Sequence, residues 1–214
     1  VTMITIEPAL PRKNTHSVAA KRLLDVALTS AGLLCIWPIL AGIAIAVACT
    51  SAGPVFFVQT RVGRDGQTFP MLKFRSMYQD AEKRRAEIER MSDREGICLK
   101  IKCDHRITPV GRFILPWSLD ELPQLINVLR GDMSLVGPRP ALVDEVAAYP
   151  EYAHGRHAVL PGITGLWQVS GRADIGFEEM IELDLDYVRQ NRFGLDLWIL
   201  LRTVRAVLTG RGAY

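Results

Sequence analysis

Between Val26 and Cys49 the chain runs for 24 residues without a charged side chain. At ~1.5 Å per residue this is about 36 Å of helix, longer than the ~30 Å hydrocarbon core of a bilayer. So long an uncharged run predicts a membrane-embedded helix rather than the core of a soluble domain. Pro38 stands near its middle, beside Trp37. An interior proline removes a backbone hydrogen bond and bends the helix axis. Basic residues flank the run on both sides, Lys21 and Arg22 before it and Arg61 and Arg64 after it. Charge asymmetry therefore gives no direction of crossing. Two arrangements satisfy these observations: a kinked spanning helix, and a helix–break–helix hairpin, broken at Trp37-Pro38, whose ends both lie in the cytoplasm. Asp25, at the edge of the run, is within ion-pairing reach of Lys21 and Arg22 along a helix.

The remaining composition narrows the class. At 214 residues the chain holds one domain, or one domain with an appendage. A net charge of +3 and a pI near 8.8 suit an anionic lipid surface or a nucleotide phosphate, and are too weak to argue for nucleic acid. Cys35 and Cys49 fall in the apolar run, and Cys98 and Cys103, with His105 nearby, lack the spacing of a metal site. No small-residue cleavage site follows the apolar run, so a reducing, cytoplasm-facing location is expected. Residues 1–17 read as a loose tail, 18–52 as the membrane segment and 53–214 as the remainder.

Within that remainder the signals alternate. Residues 55–62 and 68–74 are rich in strand formers and bracket the turn Gly63-Arg64-Asp65-Gly66, which predicts a β-hairpin. Lys73 and Arg75, two apart, project to one face if the strand continues. Residues 79–95 carry dense charge of both signs and read as a solvent-exposed helix. Asp120 and Glu121 precede apolar residues at 122, 125, 126 and 129, with Gly131 as a stop. Either Ser118 caps this helix with Glu121 closing a capping box, or Asp120 caps it with Pro123 in the first turn. In both registers the positive helix end favours an ionised Asp120 by about 0.3–1 kcal/mol. Gly137-Pro138-Arg139-Pro140 reads as a rigid turn presenting one guanidinium, the group suited to phosphate. The glycines of 161–172 suit a loop close to a ligand, or a compact structural turn. Residues 177–190 and 195–208 read as helices; the second is too short to span, and is either interfacial or core.

Three ordered stretches carry a resemblance. Ser118-Leu119-Asp120-Glu121-Leu122-Pro123-Gln124, Gly131-Asp132-Met133-Ser134-Leu135-Val136-Gly137-Pro138-Arg139-Pro140 and Pro161-Gly162-Ile163-Thr164-Gly165-Leu166-Trp167-Gln168-Val169-Ser170-Gly171-Arg172 resemble the bacterial sugar transferases. These are monotopic phosphoglycosyl transferases, and the tail is similar to their short exopolysaccharide-type members. The likeness covers residues 18–214. It departs from the usual pattern at Trp37, where relatives have Ser, at Leu115, where many have Arg, and at Leu160, where many have Lys or Arg.

What the resemblance implies is a fold that is mainly α with a small β-hairpin: a re-entrant membrane helix–break–helix and a cytoplasmic α/β catalytic domain. It also implies a reaction, the transfer of a hexose-1-phosphate of glucose or galactose type from a UDP-sugar to polyprenyl phosphate, through a phosphosugar–aspartyl intermediate with release of UMP. Asp120 is then the nucleophile, Glu121 and Asp120 the ligands of Mg²⁺, and Arg75, Arg112, Arg139 and Arg172 the contacts to substrate phosphates. The expected setting is the cytoplasmic face of the bacterial inner membrane, in contact with its lipid; whether the enzyme is a homodimer is not legible. A metal-dependent phosphohydrolase and a non-catalytic membrane scaffold are the rival readings.

Overall fold

A computed structural model describes residues 15–81, 105–171 and 175–209, and the side chains of all but the outermost three at each end. The expected N-terminal tail up to residue 14, the charged helix over 79–95 beyond Ala81, Cys98 and Cys103 lie outside the described residues; the last three residues of that tail, 15–17, belong instead to the first helix.

The apolar run forms α1 (Thr15–Thr50), a single helix of 36 residues with Pro38 inside it. The expected break is therefore not an interruption of the helix. Pro38 withholds one donor, and the turns on either side supply enough bonds to carry the helix through. Leu34, Trp37, Ile39 and Ile45 are exposed along it.

Both ends of α1 are bonded to the same globular body. At the N-terminal end Asp25, 3 % exposed, accepts from Ser134 Oγ at 2.8 Å and from Leu135 N at 3.1 Å. Lys21 reaches Asp196 at 2.8 Å, and Arg22 donates to the carbonyls of Val128 and Leu129. The pairing of Asp25 with Lys21 or Arg22 expected from spacing gives way to these long-range partners. At the other end Ile43 and Val47 pack with Phe74 and Ile114.

The predicted hairpin is present: β1 (Phe56–Val62) and β2 (Thr68–Phe74) pair antiparallel from Phe56↔Phe74 to Val62↔Thr68. Its turn uses positive φ at Asp65 (56°) and Gly66 (75°). α2 (Pro109–Ile114) follows, capped by Thr108 Oγ1 accepting from Gly111 N, and then 3₁₀ turns over Leu115–Trp117 and Leu119–Glu121. α3 (Gln124–Arg130) ends at Gly131 in the left-handed region.

β3 (Ser134–Val136) pairs in parallel with β5 (Gly162–Thr164), and β4 (Ala141–Leu142) adds to the edge of β1. Between them lie α4 (Val143–Ala147) and a 3₁₀ segment, Glu151–Ala158. α5 (Leu166–Ser170), α6 (Phe177–Gln190) and α7 (Phe193–Thr209) complete the chain. The helix expected over 177–190 is α6, and that over 195–208 is α7.

Met180 and Ile181 of α6 pack on Trp167, Tyr149 and Ala153, while Val128 and Met133 pack on Phe69 and Met71. Each such fully buried side chain contributes about 1.5–3 kcal/mol. α3 is keyed to the hairpin by Asn127, which has no exposed surface. Its Oδ1 accepts from Leu72 N at 3.0 Å and its Nδ2 donates to Pro70 O at 2.8 Å. The amide thus continues the hydrogen bonding of β2, and fixes the distance between the hairpin and the segment that carries Asp120.

Candidate active site

Asp120 and Glu121 lie in the 3₁₀ turn before α3, not in its first turn. Neither expected capping register forms. Pro123, which has no N–H, is the residue before α3, and Ser118 takes a left-handed backbone (φ 54°) with no capping hydrogen bond. The turn is closed by Glu121 N donating to Ser118 O and Leu122 N to Leu119 O.

The two neighbouring carboxylates meet different surroundings. Asp120 is 5 % exposed, and its Oδ2 is 4.0 Å from Lys73 Nζ. Glu121 Oε1 accepts from Lys73 Nζ at 2.9 Å. Burial pushes the Asp120 carboxyl up to about 6; Lys73 opposes this and Glu121 adds to it. Burial also acts to raise Glu121, but Lys73 and Arg139 outweigh it and bring the group down to about 2. The shift thus runs opposite to the one expected from a helix end, because loss of water outweighs the backbone, and a group near 6 is still mostly ionised at neutral pH.

Glu121 and Lys73 line a small cleft with Arg61, Gln124, Arg139 and Gln168. Arg61 is 7 % exposed and donates to Gln59 Oε1 and to Pro140 O. Burial and the neighbouring Arg139 lower its pKa to about 10, which leaves it charged at neutral pH. The cavity therefore presents three cations and one carboxylate beside a buried, protonatable Asp120. Such a wall suits a ligand with two phosphate groups.

Arg139 is where the sequence put it, and the fold shows what holds it. Arg156 Nη2 donates to the Arg139 carbonyl at 3.0 Å, while its Nη1 donates to Tyr149 Oη at 2.7 Å and its guanidinium pairs with Asp184. Gly137 and Gly162 bring β3 and β5 together beneath the turn. A Cβ on Gly137 would collide with Leu160 O, and one on Gly162 with Gly137 N. These two glycines of the matching stretches have a structural reason.

The other expected cations are elsewhere. Arg75 is buried and donates to Ser51 O and Ser51 Oγ at the end of α1. The strand ends at Phe74, so the alternation that would put Arg75 on the face of Lys73 stops one residue short. Arg112 is exposed on α2 and does not line the cavity. Arg172 lies outside the described residues. Sequence reasoning missed Lys73 as a site residue although its strand position was seen, and passed over Arg61 as a flanking charge. Trp37 and Pro38 are remote from this cavity, within α1.

A divalent cation fits part of this wall. Glu121 is anionic, and its Oε1 alone is engaged by Lys73. Among the described residues no cluster of three or more His, Cys, Asp or Glu could form a metal cage. That donor set suits Mg²⁺, which takes one or two carboxylates and completes its shell with water and substrate oxygens.

The family model for bacterial sugar transferases matches residues 16–210. The galactosyl transferase CpsE of Streptococcus agalactiae is 44% identical over 202 residues, which cover 94% of this chain and 44% of that protein. The exopolysaccharide production protein ExoY of Rhizobium meliloti is 39% identical over 199 residues, covering 91% and 88%. The UDP-glucose:undecaprenyl-phosphate glucose-1-phosphate transferase of Escherichia coli is 39% identical over 219 residues, covering 97% and 45%. The chain thus spans less than half of the first and third of these relatives and most of the second. It belongs to the bacterial sugar transferase family, and is an enzyme of the phosphoglycosyl transferase class.

Proposed function

We propose that this enzyme transfers a hexose-1-phosphate from a UDP-sugar to undecaprenyl or a similar polyprenyl phosphate, as the first step in assembling an exopolysaccharide or related glycoconjugate. The observation that carries the reading is Asp120, a buried carboxylate beside Lys73, at the edge of a cavity lined by Arg61 and Arg139.

Arg61 and Arg139 bind the diphosphate of the donor and orient it. An Asp120 oxygen attacks the sugar-bearing phosphorus, the bond from that phosphorus to the bridging oxygen breaks, and UMP leaves with the electron pair. An oxygen of polyprenyl phosphate then attacks the same phosphorus. The bond to Asp120 breaks, and the aspartate is restored as polyprenyl-diphosphate-sugar departs. Lys73 lowers the cost of ionising Asp120 and holds Glu121 in place. Glu121 and Asp120 would hold Mg²⁺, which when bound would supply charge stabilisation on the phosphates.

The location follows from α1. Its two ends are bonded to one globular body, through Asp25 and Lys21 at one end and Ser51 at the other. A helix that crossed a bilayer would separate its ends by the thickness of the hydrocarbon. Both ends on one body support a helix that enters the membrane and does not cross it, with any turn at Trp37-Pro38 a bend within a continuous helix and the body, residues 53–214, on the cytoplasmic face of the inner membrane. There a soluble nucleotide sugar and a lipid-bound acceptor meet.

Intact-protein mass spectrometry tests the chemistry: protein in detergent with Mg²⁺ and a panel of UDP-sugars, without acceptor. The expected result is a hexose-phosphate adduct on Asp120 together with UMP, the reacting donor naming the sugar. UMP and free sugar phosphate in the absence of acceptor, with no adduct, would instead make the enzyme a hydrolase.

A further inference from the structure

β3 is three residues long, and with β5 it forms a two-stranded sheet. Much of what holds it comes from α1. Asp25 Oδ2 accepts from Ser134 Oγ at 2.8 Å, and Asp25 Oδ1 accepts from Leu135 N at 3.1 Å. One turn earlier on the same helix face, Lys21 Nζ donates to Val136 O at 3.0 Å. Every residue of the strand is thus bonded to one of two side chains of α1, which act as a second neighbouring strand would.

The bond from Lys21 is itself held. The ammonium also donates to Tyr187 Oη at 3.2 Å and to Asp196 Oδ2 at 2.8 Å. The phenol lies 2.7 Å from Asp196 Oδ1 and 3.0 Å from Val136 O. Three ammonium protons and one phenol proton satisfy both carboxylate oxygens and the carbonyl. Asp196 and Tyr187 are buried, and burial raises the pKa of the phenol, so it stays a donor. A buried network whose members are all bonded is rigid.

β3 leads directly to Arg139, with only Gly137 and Pro138 between them. Neither gives slack. Gly137 N donates to Thr164 O at 2.9 Å, Pro138 O accepts from Gly162 N at 2.8 Å, and Pro138 and Pro140 fix φ. Strand, turn and β5 are one stiff piece, so a displacement of β3 against the hairpin carries Arg139 with it. We propose that Lys21 and Asp25 are positioning residues for Arg139, so that the long apolar helix is part of the frame of the donor site and not only an anchor in lipid. The inference rests on the reading of Arg139 as a contact to the donor diphosphate.

Binding of UDP to the full chain in detergent, measured by isothermal titration, tests this without turnover. Asp25→Leu removes the acceptor of Leu135 N. The triple variant Lys21→Met/Tyr187→Phe/Asp196→Leu removes every side-chain bond to Val136 O. It leaves no buried charge unpaired, whereas Lys21→Met alone would strand Asp196. Each is expected to weaken UDP by about tenfold or more, since a contact misplaced by ~1 Å loses at least that much. Asp25→Asn keeps an oxygen for Leu135 N and binds UDP within about threefold of wild type. Arg22→Met loosens α1 from α3 but not from β3, and also stays within about threefold. In an Arg139→Gln background, weaker at the outset, the triple change costs less than about threefold more, because no guanidinium is left to misplace.

Unchanged UDP affinity in either Asp25→Leu or the triple variant overturns the proposal; should Asp25→Leu not fold, the triple variant decides. An equal loss in Arg22→Met overturns it too, since the seating of α1 in general would then be what matters. So do additive losses in the Arg139→Gln background, which would make the network a support of the fold alone. A wild type that binds no UDP removes the donor contact and the proposal together. A wild type that binds UDP but releases no UMP from any UDP-sugar ends the transfer reading only; weaker UDP binding by the variants then still supports Lys21 and Asp25 as the frame of Arg139.

Discussion

Asp120 and Asp184 are both pushed up to about 6 by burial, and each faces a cation that opposes the shift. The resemblance ends there. Asp184 has no exposed surface and pairs with Arg156, itself 2 % exposed, in a sealed contact between α6 and the 3₁₀ segment. Asp120 stands 4.0 Å from a lysine already engaged by Glu121, at the edge of a cavity. A perturbed carboxyl alone does not mark a catalytic group; an incompletely neutralised one beside a cleft lined by cations does. The pair at Arg156–Asp184 serves at one remove, by holding the carbonyl of Arg139.

Asp120→Asn separates the two regions most sharply. UMP release falls by about a thousandfold or more, because the amide is no nucleophile. The same change stabilises the fold at pH 8 by about 1–2 kcal/mol, measured by chemical denaturation. The sign follows from the direction of the shift. A carboxyl raised from 3.8 to about 6 contributes stability that is full below 3.8 and is lost as the pH rises through 6, so at pH 8 the wild type bears the cost of a buried charge that Asn lacks. The gain is expected to vanish at pH 4. Persistence of the full gain there would mean that Asp120 is not the titrating group.

Arg156→Met acts on the other region. Removing one partner of a buried pair costs about 3–5 kcal/mol of stability, while turnover per folded molecule falls far less than in Asp120→Asn. A loss of turnover in folded protein as deep as that of Asp120→Asn would erase the distinction drawn here. Lys73→Met is intermediate. Without the ammonium the Asp120 carboxyl rises further, so the acid limb of the pH–rate profile moves to higher pH and the rate at pH 7 drops by about tenfold or more. The smallest effect is that of pH on the wild type. The rate of adduct formation declines as the pH falls through about 6, following Asp120, while Glu121, lowered to about 2, stays ionised throughout. A rate flat from pH 8 to pH 5 would place the controlling ionisation elsewhere.

The sequence made some of this legible and concealed the rest for identifiable reasons. The hairpin was readable because stretches rich in strand formers bracket the turn Gly63-Arg64-Asp65-Gly66. The Asp120-Glu121 pair and Arg139 were readable through ordered motifs. The choice between Lys73 and Arg75 was not, since it depends on where β2 stops. The elevation of Asp120 was hidden because burial comes from long-range packing that no local pattern records. Asn127 looked like a polar residue in a helix, and only the approach of α3 to the edge of β2 turns it into a strand partner. The long helix passed through Pro38 because one missing hydrogen bond does not end a helix of 36 residues.

The contact between Lys21 and Asp196 spans 175 positions in the chain. At ~5–20 residues per second, a ribosome delivers Asp196 about 10–35 s after Lys21. The apolar helix is made before the body, and of the residues that hold its N-terminal end Asp196 comes last, after Val128, Leu129, Ser134 and Leu135. The contacts of Arg22 and Asp25 with residues 128–135 become available first, and the pair of Lys21 with Asp196 only when α7 emerges. A chain stopped before Asp196 would keep the Lys21 bond to Val136 O of β3 but would lack the ion pair that fixes the same ammonium to α7.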